Sequence, residues 1–581
     1  MLNNVISFAW LKSIGLLITC ENEEKSSEES SKEDVNEDGS KEDSKIEETS
    51  QNPPHIIFIL ADDLGWNDVS FHGSPQIPTP NIDALAASGI VLNNYYTESM
   101  CTPSRASLMT GKYPIHTGLQ HLSIRCGEPT ALSLDLKIMP EYLKDKGYMN
   151  HMVGKWHLGY FRQDYTPIMR GFNSFFGFYT GKIDYFDYTN YEKSEDLDGK
   201  AFFGVDLQDG TETLKTFRGR YATDVFTEKA VEIINNHNES MPLFLYLSHL
   251  APHTGNQYMP LQAPVNYVQK LSHIKDSKRR TFAGMVSALD ASVGKVVEAL
   301  NQRNLLRNSI IVFTSNSGGE TESSGQGKGS NWPLRGQKLT SFEGGIRVPS
   351  VLWSPLLKLE TPRTANQLMH VSDWLPTLYS AAGGELSDLG EIDGSNMWDS
   401  LQTNSPSPRM EILHNIDPIA GTYALRRGDY KLIFGPLNEI TNNWAGPTGL
   451  EDMPAPPSMD EWVFNNDSTV KSILQEANLW IIDTPDVWRT KAVVKCEGSA
   501  PLDGGGCDKS NYPCLFNVPA DPCEYQNIAP KYPKIVKSML EGVEKCNASA
   551  LTPTYTDRDP QGDPRCHAFT YAPWLDEELG F

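Results

Sequence analysis

Short, unbroken apolar runs, each ending on residues able to do chemistry, restrict this chain more than any other feature. His55-Ile-Ile-Phe-Ile-Leu-Ala61 leads into Asp62-Asp63, and Pro242-Leu-Phe-Leu-Tyr-Leu247 leads into His249 and His253. Ser309-Ile-Ile-Val-Phe-Thr314 leads into Asn316-Ser317-Gly318-Gly319, and a briefer run ends at Val348-Pro-Ser-Val-Leu-Trp353. Runs of this length without polar alternation suit strands covered on both faces, as in a parallel sheet. Between them Phe282, Met285, Val286, Leu289, Val293, Val296, Val297 and Leu300 recur on one face of an amphipathic helix, and Ala222 to Asn236 reads similarly. Helix alternating with buried strand predicts an α/β fold with a mostly parallel sheet. Ligands of such sheets bind beyond the carboxyl ends of the strands. Carboxylate, imidazole and amide are therefore delivered to one edge.

The alternation fades after about residue 412. Thr422 to Phe434 reads as a hairpin turning at Gly428-Asp429, and a stretch rich in Pro, Gly and Cys leads to a short helix near Ile535 to Val543. The expected organisation is a main domain over 53–412 and a smaller α+β domain over 413–581.

The entry segment is of another kind. Residues 1–20 are apolar with one charge, Lys12, and read as a secretory signal peptide, because Lys12 splits the run below the length of a membrane span. Residues 21–52 read as a disordered acidic leader: positions 21–50 hold 13 acidic and 4 basic side chains and almost nothing apolar. The whole chain carries a net charge of −24, which argues against sequence-independent nucleic-acid binding, since that needs surplus Lys and Arg. Cys126, Cys496, Cys507, Cys514, Cys523, Cys546 and Cys566 lack paired zinc spacing, so disulfides are the expected use, with connectivity open. Sequons at Asn238, Asn466 and Asn547 agree with a secretory route. Secreted and lysosomal destinations both stay open.

Cys101-Thr-Pro-Ser-Arg105, continuing to Thr110-Gly111-Lys112, is the most specific motif. A Cys at a helix start sits where anionic groups are favoured. Taken alone it reads equally as a buried or disulfide-bonded residue. Asp62-Asp63 alone could be a turn cap, and Lys155 or Lys338 alone a solvated charge. Together with Ala61-Asp-Asp-Leu-Gly-Trp66, Thr79-Pro-Asn-Ile-Asp-Ala-Leu-Ala86, Gly154-Lys-Trp-His-Leu-Gly159, Leu334-Arg-Gly-Gln-Lys338 and Ala572-Pro-Trp574, the motif resembles the sulfatase family, in particular its arylsulfatase B, I and J branch.

That resemblance implies an alkaline-phosphatase-like fold, a large mixed sheet flanked by helices, and hydrolysis of sulfate esters. It implies that Cys101 is oxidised to formylglycine by the formylglycine-generating enzyme, and that the hydrated aldehyde attacks sulfur. Arg105 would hold the modified residue, Lys155 and Lys338 would neutralise the sulfate, His157 would help deprotonate the nucleophile, and His253 would protonate the leaving alkoxide. One calcium ion would be held by Asp62, Asp63, position 101, Asn316 and Ser317. His249 matches no family role. The substrate would be a sulfated carbohydrate, of the N-acetylgalactosamine-4-sulfate type, or a small sulfate ester.

One departure stands out. Relatives carry Asp-Asn-Gly where this chain has Asn316-Ser317-Gly318, so one carboxylate is lost from the expected metal site. Two readings follow: an enzyme with a weakened or altered metal site, and a degenerate sulfatase that binds sulfated ligands without turnover. A third, a phosphoesterase of the same fold, conflicts with the Cys motif and the paired lysines.

Overall fold

The computed structural model describes residues 53–193, 199–322, 325–435, 444, 446–451, 468–481, 486–501, 504–507 and 513–576. The signal peptide and acidic leader expected over 1–52, and the sequon at Asn466, lie outside them.

The apolar runs form the middle of a ten-stranded mixed sheet. Its strands in chain order are β1 (His55–Ala61), β2 (Ile90–Leu92), β3 (Met149–Lys155), β4 (Ser174–Phe178), β5 (Gln208–Asp209), β6 (Glu212–Thr213), β7 (Leu243–Ser248), β8 (Ser309–Ser315), β9 (Ser350–Trp353) and β10 (Arg363–Ala365). Across the sheet the order is β10-β2-β9-β8-β1-β7-β3-β4-β5-β6. The central five, β8-β1-β7-β3-β4, are parallel, with Ile57 facing Leu245 on one side and Ile311 on the other. Alternate side chains of β1 feed two cores: Ile57 and Ile59 pack on one face, and Ile56, Phe58 and Leu60 on the other. This is why the run shows no polar alternation.

Helices cover both faces. The two expected from periodicity are Ala222–Asn236 and Ser277–Gln302, and the second carries Val286, Leu289, Val293 and Val297 into the first core. Asp276 caps its start, accepting from the amides of Lys278 and Arg279.

Two expectations about strands need correction. The run ending at Trp353 pairs antiparallel with β8, because the chain returns from the site edge with only a four-residue helix between and no crossover. β3 is a strand that no apolar run announces, because Asn150 and His151 interrupt the signal. Asn150 is buried by hydrogen bonds to the carbonyls of Pro140 and Gly171, and His151 pairs with Ser174.

The described residues form one compact unit, which includes a four-stranded antiparallel sheet: β11 (Glu411–Asp417), β12 (Thr422–Arg427), β13 (Tyr430–Phe434) and β14 (Cys514–Asn517). The hairpin turns at Gly428, whose φ of 55° suits glycine. The helix expected near Ile535 to Val543 is longer, Pro533–Ala548, and packs Met539 and Val543 on Leu413, Leu425 and Leu432. Cys496 pairs with Cys523 and Cys507 with Cys514, whereas Cys126, Cys546 and Cys566, expected among the disulfides, are free thiols. Cys126 is buried, with the Asn190 amide donating to its sulfur at 3.2 Å. Asn238 and Asn547 are exposed. No helix among the described residues is long and apolar enough to cross a membrane.

Candidate active site

Adjacent strand ends bring the sequence-selected residues together. β1 ends before Asp62-Asp63, β8 before Asn316-Ser317, and β3 ends on Lys155, all at the carboxyl edge. Gly154 makes the last placement feasible: with φ 101°, any Cβ there would lie 1.9 Å from the Ser248 carbonyl oxygen. Cys101 opens the helix Cys101–Thr110 and is 2% exposed. Its sulfur lies 3.5 Å from Asp62 Oδ1 and 4.0 Å from Asp63 Oδ1. Burial, then the Asp62 charge, pushes the thiol pKa up against the opposing pull of Lys155 and Lys338.

Three cations converge on the two carboxylates. Lys155 Nζ donates to Asp62 Oδ2 at 2.6 Å, Arg105 donates to Asp62 Oδ1 at 3.1 Å, and Lys338 Nζ donates to Asp63 Oδ2 at 2.5 Å. Burial alone would raise the Asp62 carboxyl, but Lys155, followed by His253, Arg105 and Lys338, holds it far below the usual range. Arg105 is locked from behind by Ser248 Oγ at 2.6 Å and the Lys155 carbonyl at 3.2 Å. Ser248, Tyr246 and Ser315, which accepts from the Leu64 amide, are supporting residues that no motif singled out.

The two histidines flank a cavity of about 330 Å³ lined by Cys101, Arg125, His157, Lys182, His253 and Lys338. His157 has φ 58° and Asp63 φ 61°, left-handed backbone that costs non-glycine residues about 1–3 kcal/mol. His157 Nε2 faces the Ile124 carbonyl at 2.9 Å, while its buried Nδ1 has no partner. Burial, with Lys155 and Arg105 adding, lowers its pKa well below the ordinary value. His253 Nε2 lies 3.1 Å from Lys338 Nζ and 3.4 Å from Asp63 Oδ2. Burial and then Lys338 bring its pKa down to about 4. His249 does not join the site: it is fully buried, with Nε2 against Ser292 Oγ at 3.0 Å. Glu320, absent from any motif, lines the same cavity and accepts from Thr254 at 3.3 Å.

The residues expected to hold a cation make an uneven set. Of these, Asp62 and Cys101 lie beside His253, which was expected as the general acid and not as a ligand: a carboxylate oxygen, a sulfur and an imidazole nitrogen within 4.8 Å of one another. Ser317 Oγ donates to Asp63 Oδ1 at 2.8 Å. Asn316 turns its amide nitrogen, not its oxygen, towards Asp62 Oδ1 at 2.6 Å. With the Asn316 amide nitrogen and the donating Ser317 hydroxyl turned to the carboxylates, these two positions do not offer oxygen lone pairs to a hard dication, which takes oxygen ligands.

Comparison with known proteins agrees with the geometry. The sequence model of the Sulfatase family matches residues 54–384. Arylsulfatase J of Mus musculus is 38% identical over 535 residues, covering 91% of this chain and 81% of that protein. N-acetylgalactosamine-6-sulfatase of Homo sapiens is 32% identical over 370 residues, covering 60% and 66%. The crystal structure of Ps i-CgsB in complex with k-i-k-neocarrahexaose superposes with a TM-score of 0.67 at 27% identity, covering 89% of this chain and 98% of that one.

Proposed function

The chain belongs to the sulfatase family, with its alkaline-phosphatase-like fold, and from that premise we propose that it cleaves sulfate esters of carbohydrates through position 101. The observation that carries this reading is the placement of Cys101: a helix N-terminus packed against Asp62, ringed by Arg105, Lys155 and Lys338, and open to the cavity. Sulfatases generally use formylglycine and a metal ion. Residues here suit the first, whereas Asn316 and Ser317 depart from the second. Oxidised and hydrated, position 101 supplies one hydroxyl to attack sulfur and a second whose deprotonation expels sulfate, splitting the hydrolysis into two easier steps.

The remaining roles fall to side chains already in place. Arg105, fixed by Ser248, holds the hydroxyls of position 101. Lys155 and Lys338 balance the charge that grows on the sulfate oxygens, and do so strongly because Lys155 is fully and Lys338 mostly buried. His157 takes a proton from position 101, and its unpartnered Nδ1 is the atom available for this. His253 gives a proton to the leaving alkoxide. A cavity of about 330 Å³ has room for about one sugar ring, and its mixed lining of Arg125, Lys182, Glu192 and Glu320 suits a sugar carrying both acidic and amide groups. An N-acetylgalactosamine-4-sulfate end is the substrate class we assign.

Two disulfides and exposed sequons at Asn238 and Asn547 support passage through the secretory route, where the formylglycine-generating enzyme would act on Cys101. The second reading, a binder of sulfated glycans without turnover, is favoured by one observation, the Asn316 amide facing Asp62. Mass spectrometry of the Cys101 peptide together with assays on an aryl sulfate and the matching aryl phosphate separates the readings. Formylglycine with aryl sulfate turnover is the expected result. Unmodified Cys101 and no turnover would assign the binder, and preference for the phosphate would assign a phosphoesterase.

A further inference from the structure

The carboxylate pair at the head of the site is already fully served by this chain. Asp62 Oδ1 accepts from Arg105 and Asn316, and Asp62 Oδ2 from Lys155. Asp63 Oδ1 accepts from Ser317, and Asp63 Oδ2 from Lys338. All four oxygens are engaged, and Asn316 and Ser317 supply two of the donors.

The orientation of Asn316 is set by its surroundings. Its Oδ1 accepts the backbone amide of Asp63 at 2.9 Å while its Nδ2 donates to Asp62 Oδ1 at 2.6 Å. Turning the amide over would put N–H against N–H on one side and oxygen against carboxylate on the other. Both contacts would become repulsive inside a site where Asn316 is 1% exposed. The group that faces the carboxylates is therefore a donor with positive partial charge, unable to coordinate a cation.

Charge works in the same direction. In direct contact, two carboxylates, Asp62 and Asp63, stand against three cations, Arg105, Lys155 and Lys338, an excess of one positive charge; the next carboxylate, Glu320, is held to Thr254 and pushed by burial towards its neutral form. A carboxylate at 316 would bring it to neutral. With Asn316 a dication must enter a buried, positively charged cluster, where like charges repel more strongly than in water.

We propose that Asn316 and Ser317 stand in for the metal ion: the sulfate site of this chain is complete without a divalent cation and excludes one. The proposal rests on the site and its affinity for sulfate, not on turnover.

The test is metal content and binding in the intact secreted protein. The wild type, purified without chelator from calcium-containing medium, should carry far less than one equivalent of calcium. Its melting temperature should be the same in excess EDTA, calcium or magnesium, and inorganic sulfate should raise it equally in all three. Asn316→Asp combined with Ser317→Asn should bind calcium at least about tenfold tighter than the wild type and should melt higher in calcium than in EDTA. If the pair does not fold, Asn316→Asp alone is used, and the wild-type measurements decide by themselves. A stoichiometric calcium ion in the wild type, or a fall in its melting temperature on chelation, overturns the proposal. Failure of the folded double variant to gain calcium also overturns it, since positions 316 and 317 would not then govern the site. Loss of all turnover with formylglycine present would remove the assigned activity and leave this proposal standing, whereas calcium-dependent turnover would do the reverse.

Discussion

The site has two halves that are held in different ways. Asp62, Asp63, Lys155, Asn316 and Ser317 sit at or just beyond the ends of neighbouring parallel strands, so the backbone ladder of β1, β3, β7 and β8 fixes their spacing. Lys338 sits in a run of turns between β8 and β9 with no ladder of its own. Side chains from the antiparallel sheet and its neighbouring loops hold this half instead. Arg335 stacks 4.2 Å from the Phe342 ring and 4.6 Å from Trp444, and donates to the Glu524 carbonyl. The Glu343 amide donates to the Glu524 carboxylate at 2.7 Å, and Lys431 on β13 bridges Glu343 and Glu524 at 2.7 and 2.6 Å, all fully buried. Lys431 keeps Glu343 ionised against burial, whereas burial prevails at Glu524 and raises it. One half is therefore as stable as the sheet, while the other depends on a buried ionic clamp some ninety residues further along the chain.

Substitutions can break or sharpen that contrast. Cys101→Ala, at the helix start that packs on the ladder-held half, should abolish aryl sulfate hydrolysis without changing the melting temperature by more than a few degrees; measurable turnover would remove position 101 from the chemistry. His253→Gln should lower kcat on a sulfated sugar by about 10²–10⁴-fold, the usual worth of a general acid, and much less on an aryl sulfate whose leaving group needs no proton. Equal losses on both would make His253 a binding residue.

Lys431→Met tests the clamp directly. It leaves Glu524 buried without its cation and Glu343 with Arg347 alone, and breaking such a cluster costs about 3–5 kcal/mol. Chemical denaturation should show that loss, and kcat should fall although Lys431 touches no substrate. Undiminished kcat at permissive temperature would show that Lys338 keeps its place without the clamp. The smallest effect lies behind the ladder. Burial brings the His249 pKa down to about 3, below the value of about 6.5 that it has when unfolded. Between those limits the unfolded chain binds the extra proton, so stability falls as pH drops from about 6.5 towards 3. His249→Gln, which can keep a hydrogen bond to Ser292, should flatten that slope in thermal melts; an unchanged slope would assign it to the other buried histidines.

How far the sequence could be read follows the same division. The ladder-held half was legible because runs such as His55–Ala61 admit few folds, and the residues after them fall at one edge. β3 escaped because Asn150, His151 and Gly154 dilute its apolar signal, although Lys155 could still be picked out by its motif. The clamp was not legible at all. Glu343, Lys431 and Glu524 belong to no motif, and only the folded chain, bringing together positions separated by 88 and 181 residues, makes them a unit. The disulfide pairs were similarly unreadable, and Cys126 was misjudged because a buried free thiol and a bridged one look alike in sequence.

The burial of Cys101 also sets a clock. A residue only 2% exposed cannot enter the active site of another enzyme once the sheet has closed over it. The last strand that frames it ends at Ser315, and the cap formed by Asn316 and Ser317 follows at once. At ~5–20 residues per second of synthesis, the roughly 210 residues between Cys101 and that strand take about 10–40 s to emerge. The oxidation of Cys101 proposed above would therefore compete with folding itself, and the share of molecules carrying it would be a ratio of two rates, open to adjustment by anything that slows elongation or delays the pairing of β8.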